Sequence, residues 1–276
     1  MKKNTFYFLL FLLLLIGCKE NSSYTSSEEP SNAANLIEVP ALSNDSNDLF
    51  INHSTTIDGK KVTTFSLEYD RAQRHAKWVA FSFDRTTAKT GSGRTDQWGD
   101  DPAIPSNDRS SRSDFYGYDR GHICASYDRQ YSEEANIQTF YYSNMSPQIG
   151  NFNQHIWVNL EQKVQNWGRS SVFRNELYVV KGGTIKADQV LGYNGPHNIP
   201  VPRYYWMTLV CEKNGYYKGI AFWLEHKSYG DGPFDFETFA ISIDELEKRT
   251  GFDFFPNLPD DIENKIEAAY DYTQWP

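Results

Sequence analysis

Apolar and aromatic residues recur along this chain in short blocks separated by polar stretches, and the character of each block predicts an element. Residues 63–69 and 76–83 read as strands from their aromatic and branched content, as do 176–180, 204–211 and 217–223. Between the first two strands and the rest, residues 84–114 are polar and punctuated by Gly and Pro, which predicts a long loop. A loop of that length inside a compact domain usually carries function. A short strand is expected to end around 119–123. Residues 132–139 read as a short helix, with Ser132 as its cap and Glu133 and Glu134 in the first turn. The strongest helical pattern covers 153–167, with Asn151 as N-cap and Gly168 as stop. Residues 243–250 and 259–272 read as closing helices. No internal repeat is visible, so the pattern predicts one α+β domain with a central antiparallel or mixed sheet flanked by helices.

The N-terminus has a different character. Met1-Lys2-Lys3 is a positive start, and residues 6–16 form an apolar run of eleven, too short to span a bilayer as a helix. The run ends Leu15-Ile16-Gly17-Cys18, which resembles the lipobox where bacterial lipoproteins are cleaved and lipidated on cysteine. Residues 1–17 are therefore expected to be a signal peptide and Cys18 a lipid anchor. Residues 18–48, rich in Ser, Asn, Glu and Pro, are expected to be a tether with a reach of about 30 Å. That leaves 49–276 as the folded domain, held at the bacterial cell envelope. Two further cysteines remain, Cys124 and Cys211, and in an oxidising compartment they are candidates for a disulfide. With no Cys-x-x-Cys spacing, a structural zinc site is not expected.

A length of 276 residues supports one large domain. The net charge of −9 argues at first against a polyanionic partner, since phosphate affinity is normally carried by Lys and Arg. Its distribution changes that picture. Residues 49–230 hold 21 basic and 18 acidic side chains, whereas 231–276 hold 3 basic and 12 acidic. The middle of the chain is mildly basic and the acidity collects at the ends, which permits a nucleic-acid partner without requiring one.

Candidate chemistry concentrates in two segments, Asp119-Arg120-Gly121-His122 and the helix that follows Asn151. His122 suits a general base, because an imidazole with an ordinary pKa near 6.5 is mostly neutral at neutral pH. Gly121 lets the backbone pass close to a neighbour. Asn153 offers a neutral oxygen ligand at the start of the helix, and Glu161 lies eight positions later. On an ideal α-helix that is about 80° around the axis and about 12 Å along it. The arithmetic favours direct cation ligation by Asn153, with Glu161 acting through water, and a hydrated ion of that kind suits Mg²⁺, with Mn²⁺ as the alternative. His155, two positions from Asn153, points away. Arginines nearby can meet phosphate.

These segments together resemble the DNA/RNA non-specific endonuclease family, whose site is a ββα-metal motif. The resemblance rests on Asp119-Arg120-Gly121-His122, on the separations of 31 from His122 to Asn153 and 8 from Asn153 to Glu161, and on Arg94, Trp98, Asp101 and Ile104 upstream. It also includes Tyr142-Ser143-Asn144-Met145-Ser146-Pro147-Gln148 and His197-Asn198-Ile199-Pro200-Val201-Pro202, and it covers most of 60–255. It implies that Arg94 clamps the scissile phosphate, that Asn153 is the one direct protein ligand of the metal, and that Glu161 orients waters. Arg120 is left between phosphate contact and bracing of the site. Asp119, Asn144 and Gln148 are expected to support these residues. The implied activity is metal-dependent hydrolysis of phosphodiesters in DNA and RNA. Two alternatives stay open: a phosphodiesterase on small diesters or nucleotides, and a non-catalytic nucleic-acid-binding lipoprotein. Ala125-Ser126 departs from the proline many relatives carry after the signature. His53, His75, His197 and His226 have no partner that the sequence identifies.

Overall fold

Strands with alternating faces build the sheet on which the rest of the chain is mounted. The computed structural model describes residues 36–276. Its strands are β1 (Asp48–Ile57), β2 (Lys60–Asp70), β3 (His75–Phe83), β4 (Asp119–His122), β5 (Met145–Gln148), β6 (Glu176–Gly183), β7 (Val190–Asn194), β8 (Ile199–Pro202), β9 (Tyr204–Lys213), β10 (Tyr216–Glu225) and β11 (Ala240–Ile241). Its α-helices are α1 (Glu133–Gln138), α2 (Val158–Arg169), α3 (Ile243–Thr250) and α4 (Asp260–Ala268). Seven strands form one sheet in the order β1-β2-β3-β6-β9-β10-β11. All of its pairings are antiparallel. The pairs β4-β5 and β7-β8 form two small ribbons outside it.

Both faces of the sheet are covered, and the period of two along each strand sorts side chains between them. Val79, Phe81 and Phe83 of β3, with Tyr205, Met207, Leu209 and Cys211 of β9, face a core closed by Phe152, Ile156, Trp157, Leu160, Val164 and Trp167. The alternate residues Trp78, Ala80, Trp206 and Val210 face a second core closed by Ile243, Leu246, Phe254 and Ile266. The molecule is thus three layers, with α2 on one face of the sheet and α3 and α4 on the other. Ser132 caps α1 as expected, its hydroxyl accepting from the Ala135 N–H at 3.1 Å.

Four expectations need correction. The folded part does not wait for residue 49. Leu36, Ile37 and Val39 pack into the second core, Ala41 N–H donates to Asp253 O at 2.9 Å, and Asn257 Nδ2 donates to Leu36 O at 2.9 Å. The apolar run Leu36-Ile37 is what the polar composition around it concealed. Asn151 does not cap the long helix, which has already begun; its Oδ1 accepts from the Tyr229 N–H instead. Cys124 and Cys211 are separate buried thiols rather than a disulfide, and burial pushes both above the usual thiol range. The last helix stops at Ala268, not at 272. The expected signal peptide 1–17, Cys18 and the first part of the tether lie outside the described residues. Among the described residues no helix is long and apolar enough to cross a membrane.

The histidines without a sequence-level partner turn out to be structural. His53 Nε2 meets Asp101 Oδ2 at 2.9 Å, and His197 Nδ1 meets Asp114 Oδ2 at 2.8 Å. His75 contacts Ala76 O through Nδ1 and Ser146 Oγ through Nε2, both at 2.7 Å. His226 must be neutral to do its work. Its Nε2 accepts from the Ile149 N–H at 2.7 Å while Nδ1 faces Pro202 O at 2.7 Å. Burial holds His75 and His226 down to about 4. In the unfolded chain each returns to about 6.5, so between these values the unfolded state binds more protons. Stability is therefore full above about pH 6.5 and falls as pH is lowered towards 4, by about 3 kcal/mol per histidine. Denaturant melts across that range check this. His226→Gln, which keeps an acceptor for Ile149, should flatten the slope; an unchanged slope would refute the assignment.

Candidate active site

A one-residue irregularity in the long helix decides which side chains face the candidate site. The chain is helical from Gly150, but Phe152–Trp157 runs as a π-turn before α2 begins. Val158 N–H donates back to Asn153 O, five residues away, rather than four. The turn absorbs one residue, so the eight positions from Asn153 to Glu161 count as about seven, close to two full turns. The expected angle of about 80° therefore closes to nearly zero, and both residues line the same cleft. Their separation along the axis is still on the order of 10 Å. His155 faces away, 3.3 Å from Asp231.

The second wall is the β4-β5 ribbon, where Asp119 pairs with Gln148, Gly121 with Ser146 and His122 with Met145. Gly121 is needed for a close approach: a Cβ there would lie 2.1 Å from Gln148 Oε1 and 2.5 Å from its Cγ. Gln148 is fully buried beneath it, outside the cleft. Asn144 clamps the strand just past His122. Its Oδ1 accepts from Cys124 N–H and its Nδ2 donates to Cys124 O and Thr139 O, all at 2.8 Å. Asp119 joins strand to helix, its Oδ2 accepting from Asn153 Nδ2 at 3.0 Å and from Gln154 Nε2 at 2.8 Å. That bond commits the amide nitrogen of Asn153 and leaves Oδ1 without a donor among the described residues. An oxygen so oriented is a suitable ligand for a hard cation.

The loop 84–114 forms the third wall and is held by buried residues within it. Asp101 accepts from Ser143 Oγ at 2.5 Å and from Ala103 N–H at 2.9 Å, besides contacting His53, and Ile104 is buried in the core. Trp98 then stands between two site residues. The Arg120 guanidinium carbon lies 3.8 Å from its ring centroid, and the His122 ring lies 5.3 Å away on an inclined plane. Phe140 flanks His122 edge-on at 4.9 Å and Arg94 at 4.8 Å. Arg94 donates to Asp96 Oδ1 at 2.9 Å. Burial first, and then the positive charge of Arg94, hold His122 down to about 3. Its Nε2 has no hydrogen-bond partner. Arg94, Trp98, Asp119, Arg120, His122, Asn153 and Glu161 converge on one cleft of about 730 Å³. A second hollow, lined by Arg112, Phe115, Tyr116, Tyr118 and Asn194, shares Arg120 with it.

Sequence reasoning missed the base of the cleft. Lys181 of β6 is fully buried and reaches Asp128 Oδ2 at 2.8 Å and Glu161 Oε1 at 3.1 Å. Asp128 also accepts from Ala125 N–H at 2.9 Å and Gln165 Nε2 at 3.0 Å. The signal was present: Lys181 is the one basic residue in an otherwise strongly apolar strand. Desolvation raises Glu161 to about 7, while Lys181, Arg129 and these hydrogen bonds keep Asp128 below the usual carboxylate range despite its burial. The lysine thus serves one firmly ionised carboxylate and one that retains affinity for a proton or a second cation.

With fold and cleft described, the class is clear: residues 45–261 match the family model of the DNA/RNA non-specific endonucleases, and the chain belongs to that family. It is accordingly a hydrolase acting on nucleic-acid phosphodiesters, in a metal-dependent nuclease family. Its relatives include Nuclease C1 of Cunninghamella echinulata var. echinulata, 31% identical over 207 residues that cover 71% of this chain and 81% of the relative. A nuclease of Nostoc sp. is 30% identical over 218 residues, covering 75% and 76%. In fold it resembles a chain of the EndoG/EndoGI complex, with a TM-score of 0.64 at 21% identity, covering 77% of this chain and 89% of that one.

Removing the buried cation tests the base of the cleft. Lys181→Met should cost about 3–5 kcal/mol, because the one cation that both Asp128 and Glu161 meet directly is removed from a buried site. Urea unfolding measures it. A loss below about 1 kcal/mol would show that Glu161 and Asp128 do not depend on the lysine.

Proposed function

We propose that this chain is a sugar-non-specific endonuclease in which His122 is the general base and a hydrated Mg²⁺ is held directly by Asn153 and through water by Glu161. The observation that carries the reading is the neutral, unpartnered Nε2 of His122 in a cleft shared with Arg94, Arg120, Asn153 and Glu161. A neutral imidazole can take a proton from water attacking phosphorus without first losing one. Arg94 and Arg120 supply guanidinium charge to the phosphate, and the ring of Trp98 supports the guanidinium of Arg120 from 3.8 Å. Asp119 holds the amide nitrogen of Asn153, which leaves Oδ1 as the atom that would hold a cation. Spacing along the helix favours water between the ion and Glu161. When bound, the ion would supply charge compensation to the transition state and to the departing 3′ oxygen.

A polymeric substrate is favoured over a small diester. A second hollow beside Tyr116 and Tyr118 shares Arg120 with the cleft, and Tyr116 is 87% exposed. Exposed aromatic rings offer bases a stacking surface indifferent to sequence. The chemistry addresses the backbone phosphate, so base readout is not required.

Plasmid nicking by the purified chain tests the assignment. Cutting should require Mg²⁺ or Mn²⁺, stop in EDTA, and fall by at least about a hundredfold in His122→Ala. Asn153→Ala should raise the metal concentration needed. An intact plasmid with either ion would overturn the nuclease reading, and unchanged cutting by His122→Ala would overturn the base.

Lipidation of Cys18, supported by the residue pattern alone, completes the proposal and puts the enzyme at the bacterial cell envelope. The Cys18→Ala protein should then leave the membrane fraction of expressing cells. Retention there would remove the lipid anchor from the account.

A further inference from the structure

On the face of the sheet away from the cleft, α3 and α4 bring carboxylates together with nothing to balance them. Asp244 and Glu247 lie one turn apart on α3, so they share a face. Glu267 comes from the last turn of α4. One carboxylate oxygen from each of the three lies within 4.8 Å of the others. Glu267 is 7% exposed, and its Oε1 is buried with no hydrogen-bond partner. Asp253 and Glu263 add to the negative potential at Glu267. Among the described residues, none of these five carboxylates forms a salt bridge; the nearby Arg249 is engaged by Glu245.

Packing forces this arrangement. At Gly219 of β10 a Cβ would lie 2.7 Å from Ile243 Cδ1 and 2.8 Å from Ile266 O, so both helices settle onto one bare stretch of strand. Phe254 N–H donates to Glu247 Oε1 at 2.8 Å, which fixes that carboxylate in the cluster. The hydrophobic contacts of Ile243, Leu246 and Ile266 thus hold like charges together that would otherwise separate.

We infer that Asp244, Glu247 and Glu267 form a divalent-cation site, selective for Ca²⁺, that ties α4 to α3. The donor set is all oxygen, which calls for a hard cation. Ca²⁺ binds oxygen at about 2.3–2.6 Å, so three oxygens spread around one ion stand at most about 4.0–4.5 Å apart, and these three, all within 4.8 Å of one another, reach that spacing with small side-chain movements. Around Mg²⁺, at about 2.1 Å, the same three oxygens would have to close to about 3.6 Å or less, and in a stricter octahedral geometry. A ligand set of three carboxylates completed by water matches the flexible coordination that Ca²⁺ accepts. The site lies across the sheet from His122, so its role is structural and does not rest on the nuclease reading.

Thermal unfolding of the whole chain carrying Asn153→Ala, which disables the candidate catalytic metal site, isolates the effect. Saturating Ca²⁺ should raise Tm by roughly 5–10 °C over EDTA, and Mg²⁺ at equal concentration by clearly less. Calorimetric titration with Ca²⁺ should give one ion per chain. In Glu267→Gln the rise should vanish, while Tm in EDTA is no lower than the parent's, because a neutral amide suits a position where burial and the neighbouring carboxylates already disfavour charge. Should that variant fail to fold, Asp244→Asn, at a more exposed position, replaces it with the same expectation. Absence of a Ca²⁺-dependent rise in the parent overturns the site. So does an equal rise in the Glu267→Gln or Asp244→Asn protein.

Discussion

The register of the helix that begins at Gly150 is the constraint on which the cleft depends. Its residues must do two things at once. Phe152, Ile156, Trp157, Leu160 and Val164 fill the core against β3, β6 and β9, while Asn153, Val158, Glu161 and Gln165 line the cleft. A straight α-helix cannot keep both stripes aligned across its length, because eight residues overshoot two turns by about 80°. The single π-turn at Phe152–Trp157 removes that overshoot. It resets the polar stripe so that the amide of Asn153 and the carboxylate of Glu161 face the same space. Irregular turns of this kind tend to occur at functional sites, where one misplaced residue has a chemical consequence.

Electrostatics in the cleft follow from burial rather than from net charge. His122 stays neutral because desolvation and Arg94 both disfavour its cation. Lys181 stays charged at the base of the cleft because Asp128 and Glu161 meet it directly, while Glu161 pays part of the desolvation cost with a raised pKa. A neutral imidazole and a carboxylate with a raised pKa thus owe their state to burial together with two different partners, an arginine in a loop and a lysine in a strand. Neither partner is near its target in sequence.

That distance explains what was legible beforehand. Asp119-Arg120-Gly121-His122, Asn153 and Glu161 were readable because the chemistry demands those side chains at fixed spacing, and the cleft unites them. Arg94 was readable only through the resemblance, from its spacing to Trp98, Asp101 and Ile104, of which Asp101 and Ile104 are buried anchors of the loop. The strands followed from aromatic and branched content. The π-turn left no mark, since the same hydrophobic residues fit a regular helix nearly as well. The partners of His53, His75, His197 and His226 were invisible because each lies across the fold, as with His226 and Ile149, 77 positions apart. Leu36 and Ile37 were missed because two apolar residues in a polar stretch look like a tether until a second layer exists to receive them.

The segregation of charge also explains how an acidic chain can serve a polyanionic substrate. The excess of carboxylates in 231–276 is not spread over the surface. Much of it rides on α3 and α4, packed against the second core, whereas the cleft opens beside α2 on the first. Between them stand the sheet and two helix-to-sheet contacts, each on the order of 10 Å. At ordinary ionic strength exposed charges are largely screened beyond about 10 Å, so an approaching strand senses Arg94 and Arg120 far more than Asp244 or Glu263. On the proposed reading, affinity is set locally by a few guanidinium groups, which suits an enzyme that must release each product. The net charge of −9 describes the whole chain, but the substrate meets only one side of it.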